Sequence, residues 1–201
     1  MLKILITAFK PFGDIEDNSS LRVIEKINNS GNAIIIKCIL DVVYDRLIFE
    51  DLLIKYQPDI LLLCGQAAGR DKVTLEQIGI NFIHSTQSDN DGLVISNEKI
   101  LIDGEDAYFN TVNSANIVRL LEKTHPVKLS LSAGGYVCNY GFYTALHYAK
   151  KNQLNTNIGF IHFPLFSGQT SKNYPSLDLN IMVDTMNKII DLLIKEKTCK
   201  V

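Results

Sequence analysis

The stretch DILLLCG (59–65) opens on one charge and then runs through five apolar side chains to a glycine without a polar residue between them. A strand with one face in water alternates apolar and polar positions. A run that is apolar at consecutive positions is buried on both faces, as in a parallel sheet covered by helices on each side. KILITAF (3–9), AIIIKCIL (33–40), VKLSLSAG (127–134) and IGFIHFP (158–164) read as strands of the same kind. Between them SSLRVIEKINN, DRLIFEDLLIKYQ, SANIVRLLEKT and NYGFYTALHYAKKN carry helical spacing. Segment 176–197 sets Ile181, Met182, Met186, Ile189, Ile190 and Leu193 on one stripe. Pro58 after KYQ and Pro126 after KTH mark helix ends. The alternation predicts an α/β fold, a single-domain α/β/α sandwich around a largely parallel twisted sheet. One region departs from it. VTLEQIGINFI (73–83) alternates as a strand, and DNDG (89–92) reads as a turn into LVI (93–95), which predicts a β-hairpin excursion near residues 73–95. With no repeat, linker or low-complexity segment, residues 1–201 are read as one domain.

A chain of 201 residues, 46% hydrophobic and 21% charged, can build a full core without staples. A net charge of −2 leaves no basic surplus for a nucleic acid or an acidic membrane surface. MLKILITAF is too short for a signal h-region, and no window has the apolar length to span a bilayer. A cytoplasmic protein is expected, with neither nucleic acid nor membrane as partner. The four cysteines lie far apart, with no CxxC pair and no metal-ligand spacing, so reduced thiols are expected and no metal or cofactor is called for. Cys38 and Cys64 sit in strand-like runs and read as core packing; Cys199, in a charged tail, reads as exposed.

The stretch SAGGYVCNYG (132–141) places Cys138 after a Gly-Gly pair and at the start of a helical pattern. It reads two ways. As a small hydrophobe it packs. As a nucleophile it faces unpaired N–H groups and the positive end of a helix dipole, which favour thiolate and offer an oxyanion site. Gly134 and Gly135 allow the tight turn this requires. A nucleophilic cysteine needs a base, and four histidines compete. His84 and His125 sit in loop-like settings, and His147 lies at the margin of a helix. His162 interrupts an apolar strand near its C-terminal end, the edge where open α/β sheets bind ligands. Glu76 shares one face of its strand with Ile78, Ile80 and Phe82, which turns its carboxylate inward; a protonated histidine would stabilise it there.

In order along the chain, ITAFKPFGD, GQAAGR, TLEQIGIN, DGEDAYFNT, SAGGYVCN and GFIHFP resemble six motifs of the pyroglutamyl peptidase I family, over nearly the full length. The resemblance implies a cysteine exopeptidase with Cys138 as nucleophile, His162 as general base and then acid, and Glu76 as orienting carboxylate. It implies that Phe9, Phe12 and Tyr136 line an apolar pocket for the pyrrolidone ring, with Asn18 and Gln66 beside it. The implied partners are N-terminally pyroglutamylated peptides and further copies of the chain, as a dimer or tetramer. A family member that binds pyroglutamyl peptides or small lactams and turns over poorly is the alternative. A nucleoside phosphorylase-like enzyme lacks an evident phosphate-binding loop. Gln77 and Thr86 stand where the family has arginines, and the second loss removes a fixed cation near the expected site. Ala8, Asp14, Ser19 and Asp41 depart as well, from glycine, glycine, proline and proline.

Overall fold

The computed structural model describes residues 1–13, 16–27, 31, 33–170 and 172–199; Asp14 lies outside them. In chain order the elements are β1 (Leu2–Phe9), α1 (Ser19–Lys26), β2 (Ala33–Leu40), α2 (Arg46–Tyr56), β3 (Ile60–Gln66), β4 (Val73–Glu76), β5 (Ile78–Ile80), β6 (Ile83–His84), β7 (Ser96–Glu98) and β8 (Ala107–Phe109). There follow α3 (Ser114–Leu121), β9 (Val127–Ser130), α4 (Val137–Lys151), β10 (Asn157–Phe163), β11 (Leu165–Phe166), β12 (Ser176–Leu177) and α5 (Leu179–Thr198). The main sheet runs β2-β1-β3-β10-β4-β9. All neighbours are parallel except β10 and β4. This is the expected largely parallel sheet between two helical layers. No helix among the described residues is long and apolar enough to cross a membrane.

The period of two along each strand sorts side chains between the layers. Ile4, Ile6 and Ala8 of β1, Ile60, Leu62 and Cys64 of β3, and Ile161 and Phe163 of β10 join the core under α1, α3 and α5. Leu5 and Phe9, Leu61 and Leu63, and Ile158 and Phe160 pack on the other face, under α2 and α4. Continuing the count puts Gly65, His162, Thr74 and Glu76 on the α4 face. The stripe of α5 is buried at Met182, Met186, Ile189, Ile190 and Leu193, while Ile181 lies at its margin, 44% exposed.

The excursion after residue 73 has different bounds from those the alternation predicts. β4 is an inner strand of the main sheet, between β10 and β9. The chain then leaves the sheet: β5 pairs antiparallel with β8, and β6 pairs antiparallel with β7, so a small hairpin closes at 96–98 rather than 93–95. The break at Gln77 has a physical cause in α4. Buried Asn139 accepts from the N–H of Ile80 at 3.0 Å and donates to the carbonyls of Ile80 and Phe82 at 2.9 and 3.0 Å. Gly79 lies so close to α4 that a Cβ there would stand 3.2 Å from the Tyr143 backbone. Residues 78–82 therefore follow the helix, not the sheet.

Candidate functional site

Cys138 is the second residue of α4, and the helix begins there because the preceding turn can be made. Gly134 takes φ +88°, a left-handed conformation that favours glycine. A Cβ on Gly135 would lie 2.7 Å from the carbonyl oxygen of His84. The N-cap, Tyr136, has no side-chain acceptor for the first N–H groups, so they face the cavity in front of the helix uncapped. Gly65 lies beneath the reacting groups, behind the cavity lining. A Cβ on it would stand 2.8 Å from Cys138 Sγ and 3.3 Å from His162 Cδ2, so thiol and imidazole converge on one methyl-sized point that only glycine leaves free.

His162 Nδ1 donates to Glu76 Oε1 at 2.9 Å, with both side chains buried. The register Phe160↔Glu76 and His162↔Thr74 makes the two diagonal neighbours on the α4 face of the sheet. The same carboxylate oxygen accepts from Thr74 Oγ1 at 3.1 Å and from the Arg70 guanidinium, which also bonds Thr74 Oγ1 and the Ser132 carbonyl. Asn110 Nδ2 donates to the Glu76 backbone carbonyl at 2.8 Å. Glu76 was expected to turn inward through a face shared with Ile78, Ile80 and Phe82. Its burial comes instead from β4 lying inside the main sheet, and Phe82 is 41% exposed.

Charge follows from this packing. Burial alone would raise the Glu76 pKa, but the hydrogen bond and charge of His162, a bond from Ser130 and the charge of Arg70 bring it below the ordinary value. Burial lowers the His162 pKa, with Arg70 acting the same way and Glu76 opposing. The Cys138 thiol is pushed up to about 12, by burial first and Glu76 second, against its own backbone N–H and Arg70. The expected thiolate-favouring helix mouth is thus outweighed in the free protein. These directions favour a thiol beside a neutral imidazole whose Nδ1–H is held by an ionised carboxylate.

Cys138, His162, Phe9, Phe12, Asn18, Gln66 and Tyr136 all line one cavity of about 250 Å³, together with Val42 and Arg70. Glu76 sits behind His162 and does not line it. Phe12 and Tyr136 meet at a tilt of 33° with ring centroids 5.9 Å apart, and the Tyr136 hydroxyl donates to the Ser88 carbonyl at 2.7 Å. Asn18 serves first as the N-cap of α1: its Oδ1 accepts from Ser20 N and Oγ at 3.0 and 2.7 Å, and its Nδ2 donates to the Lys10 carbonyl. The other histidines lie elsewhere, His84 with Ser96, His125 with Asp184 and His147 with Tyr108. Cys64 is buried and Cys199 exposed, as expected. Sequence reading overlooked Arg70, although it closes the GQAAGR motif, and Asn139, whose position directly after the cysteine was its only signal. Thr86 is exposed and lines a neighbouring cavity of about 610 Å³ rather than this one.

Residues 2–196 match the model of the family described as Pyroglutamyl peptidase. A pyrrolidone-carboxylate peptidase of Thermosipho africanus is 36% identical over 201 residues, covering 97% of this chain and 98% of that protein. One from Vibrio parahaemolyticus is 33% identical over 204 residues, covering 98% and 95%. The solved pyrrolidone carboxyl peptidase of Thermococcus litoralis superposes with a TM-score of 0.92 at 29% identity, covering 100% of this chain and 97% of that one.

Proposed function

The chain belongs to the pyroglutamyl peptidase family, and from that premise we propose that it hydrolyses the amide bond after an N-terminal pyroglutamyl residue, with Cys138, His162 and Glu76 as its catalytic triad. The observation that carries the residue assignment is the 2.9 Å bond from His162 Nδ1 to the buried Glu76 carboxylate, beside a cavity that His162 shares with Cys138. Because Glu76 holds the proton on Nδ1, Nε2 is left as an acceptor for the thiol proton. Sγ attacks the pyroglutamyl carbonyl carbon as its proton passes to Nε2. The resulting imidazolium, stabilised by Glu76, gives that proton to the amine as the C–N bond breaks. Water, deprotonated in turn by His162, attacks the thioester carbonyl, releases pyroglutamate and restores the thiol. Uncapped N–H groups at the mouth of α4 are placed to hold the oxyanion of each tetrahedral intermediate.

The cavity suits a flat, uncharged lactam. Phe9, Phe12, Val42 and Tyr136 supply apolar walls and Gln66 and Asn18 the few polar groups. Its volume, below the ~300–1,000 Å³ of drug-sized sites, matches one small ring. The alternative of a lactam binder with slow turnover rests on Gln77 and Thr86, which stand where the family has arginines. Release of a fluorescent amine from a pyroglutamyl amide by wild type and by Cys138→Ser separates the two. Turnover lost in the variant supports the peptidase. A wild type that is alkylated at Cys138 yet releases nothing supports the binder. Cytoplasmic location and assembly into a homodimer or homotetramer belong to the same reading, and light scattering after size exclusion tests the second.

A further inference from the structure

Gln66 ends β3 on the wall of the cavity, and its amide is oriented by groups whose polarity is not in question. The Ser19 backbone N–H donates to Gln66 Oε1 at 2.8 Å. Gln169 Nε2 donates to the same oxygen at 2.6 Å and to the Asp17 carbonyl at 3.0 Å. Gln169 is itself fixed, because its Oε1 accepts the Phe166 N–H at 3.0 Å. Backbone N–H groups can only donate, so both amides have one permitted orientation. With both donors on Oε1, the Gln66 NH₂ has no bond among the described residues, and the side chain lines this cavity and, on its other side, the neighbouring one of about 610 Å³. Gln169 lies in the strap between β11 and β12 and does not line the cavity. Ser19 is the first residue of α1, a position that tolerates proline, so its N–H is free for this use.

We propose that Gln169 and Ser19 are positioning residues that lock the Gln66 side-chain amide with its NH₂ toward the pocket, and that this NH₂ is the donor selecting a ring bearing an oxo group, the lactam carbonyl of pyroglutamate, over proline. The inference rests on the pyroglutamyl reading of the site and adds the group that enforces it. A donor left unpaired in a largely apolar cavity penalises a ring without an acceptor, so proline is rejected by what it fails to satisfy. Either donor alone still orients Oε1, and their contributions are therefore coupled rather than additive.

The test measures protection of Cys138 from iodoacetamide by 2-pyrrolidone, together with KM and kcat for pyroglutamyl and prolyl arylamides. Ser19→Pro and Gln169→Met should each weaken protection only a few-fold. The double variant should weaken it by more than the product of the two, on the order of tenfold or beyond. KM should rise while kcat and the unprotected alkylation rate stay near wild type, a split that collapse of the site would not give. Gln66→Leu, which needs neither positioning residue, should lose protection and narrow the preference for pyroglutamyl over prolyl amides. Unchanged protection in Gln66→Leu, or a double variant that binds like wild type, overturns the proposal. A wild type without protection or turnover removes the lactam reading itself, a different failure from a wild type that shows both while the variants match it.

Discussion

Gly65→Ala adds one methyl group at the point where the reacting groups meet. The glycine lies inside β3 with no left-handed backbone requirement, so alanine is compatible with the chain and the effect is steric alone. The new carbon would stand 2.8 Å from Cys138 Sγ, 3.1 Å from Phe160 Cζ and 3.3 Å from His162 Cδ2. Non-bonded heavy atoms settle at about 3.5–4.0 Å, so the thiol must retreat by roughly 1 Å and the imidazole by about half as much. Misplacement of a reacting group by ~1 Å costs on the order of 100-fold in rate, or about 2.7 kcal/mol of barrier. Overpacking at a buried point costs about 1–3 kcal/mol of stability besides. Steady-state hydrolysis of a pyroglutamyl amide, with a thermal melt in parallel, reads both quantities. We expect kcat to fall about 100-fold while KM changes within about threefold, since Gly65 does not line the cavity that takes the ring. A kcat within about threefold of wild type in a folded variant would show that thiol and imidazole do not need this glycine, and the catalytic geometry drawn here would fall with it.

Three further outcomes follow from the charges around Glu76. His162 must be neutral to accept the thiol proton, and its pKa is lowered, so the acid limb of kcat/KM should lie below pH 6.5, activity being lost as pH falls through that depressed value; a limb above pH 6.5 contradicts the assignment. Arg70→Met removes a cation that lowers the His162 pKa, so the acid limb should move to higher pH, with kcat lower by about tenfold from the loosened carboxylate; an unmoved limb would mean Arg70 does not act through the triad. Glu76 and His162 both have lowered pKa values in the fold, so the unfolded chain binds more protons in acid, and stability should decline as pH drops below 6.5 for His162 and again below 4.5 for Glu76, a second decline that Glu76→Gln abolishes in pH-dependent urea melts. Thr86→Arg should change kcat/KM for a small arylamide by no more than about tenfold, one charge-assisted bond at most, because Thr86 lines the adjoining cavity; a larger gain would place position 86 in the reacting site.

The strands that build the sheet were legible because burial on both faces leaves a continuous apolar run, and DILLLCG or IGFIHFP admits little else. His162 was legible for the complementary reason, as a polar residue interrupting such a run at its C-terminal end. What local pattern could not supply was the partner of each strand. VTLE and IGI alternate without interruption, yet the first pairs with β10 and β9 and the second with β8, a choice set by Asn139 and by the backbone of α4 some sixty residues away. Glu76 is therefore buried, as its pattern predicts, but not through the face it was expected to share. At Cys138 two effects oppose each other for a related reason. A helix N-terminus is visible in sequence, but the depth at which it opens is not, and burial decides the sign.

The absence of arginine at position 86 raised the prospect of a site without a fixed cation. Arg70 answers it from the other side. It lines the cavity, touches the triad carboxylate and lowers the pKa of the thiol and of the imidazole alike. A cation bonded to Glu76 has two opposed effects: it keeps the carboxylate ionised, and so able to hold Nδ1–H, while drawing off part of the charge that would stabilise imidazolium. The first effect serves the resting enzyme and the second makes the imidazolium a stronger acid, ready to protonate the departing amine. A second cation at 86 would enter from the adjoining cavity, which shares Phe12 and Gln66 with this one. The positive charge at the triad is thus supplied from within GQAAGR, by Arg70 on the Glu76 carboxylate.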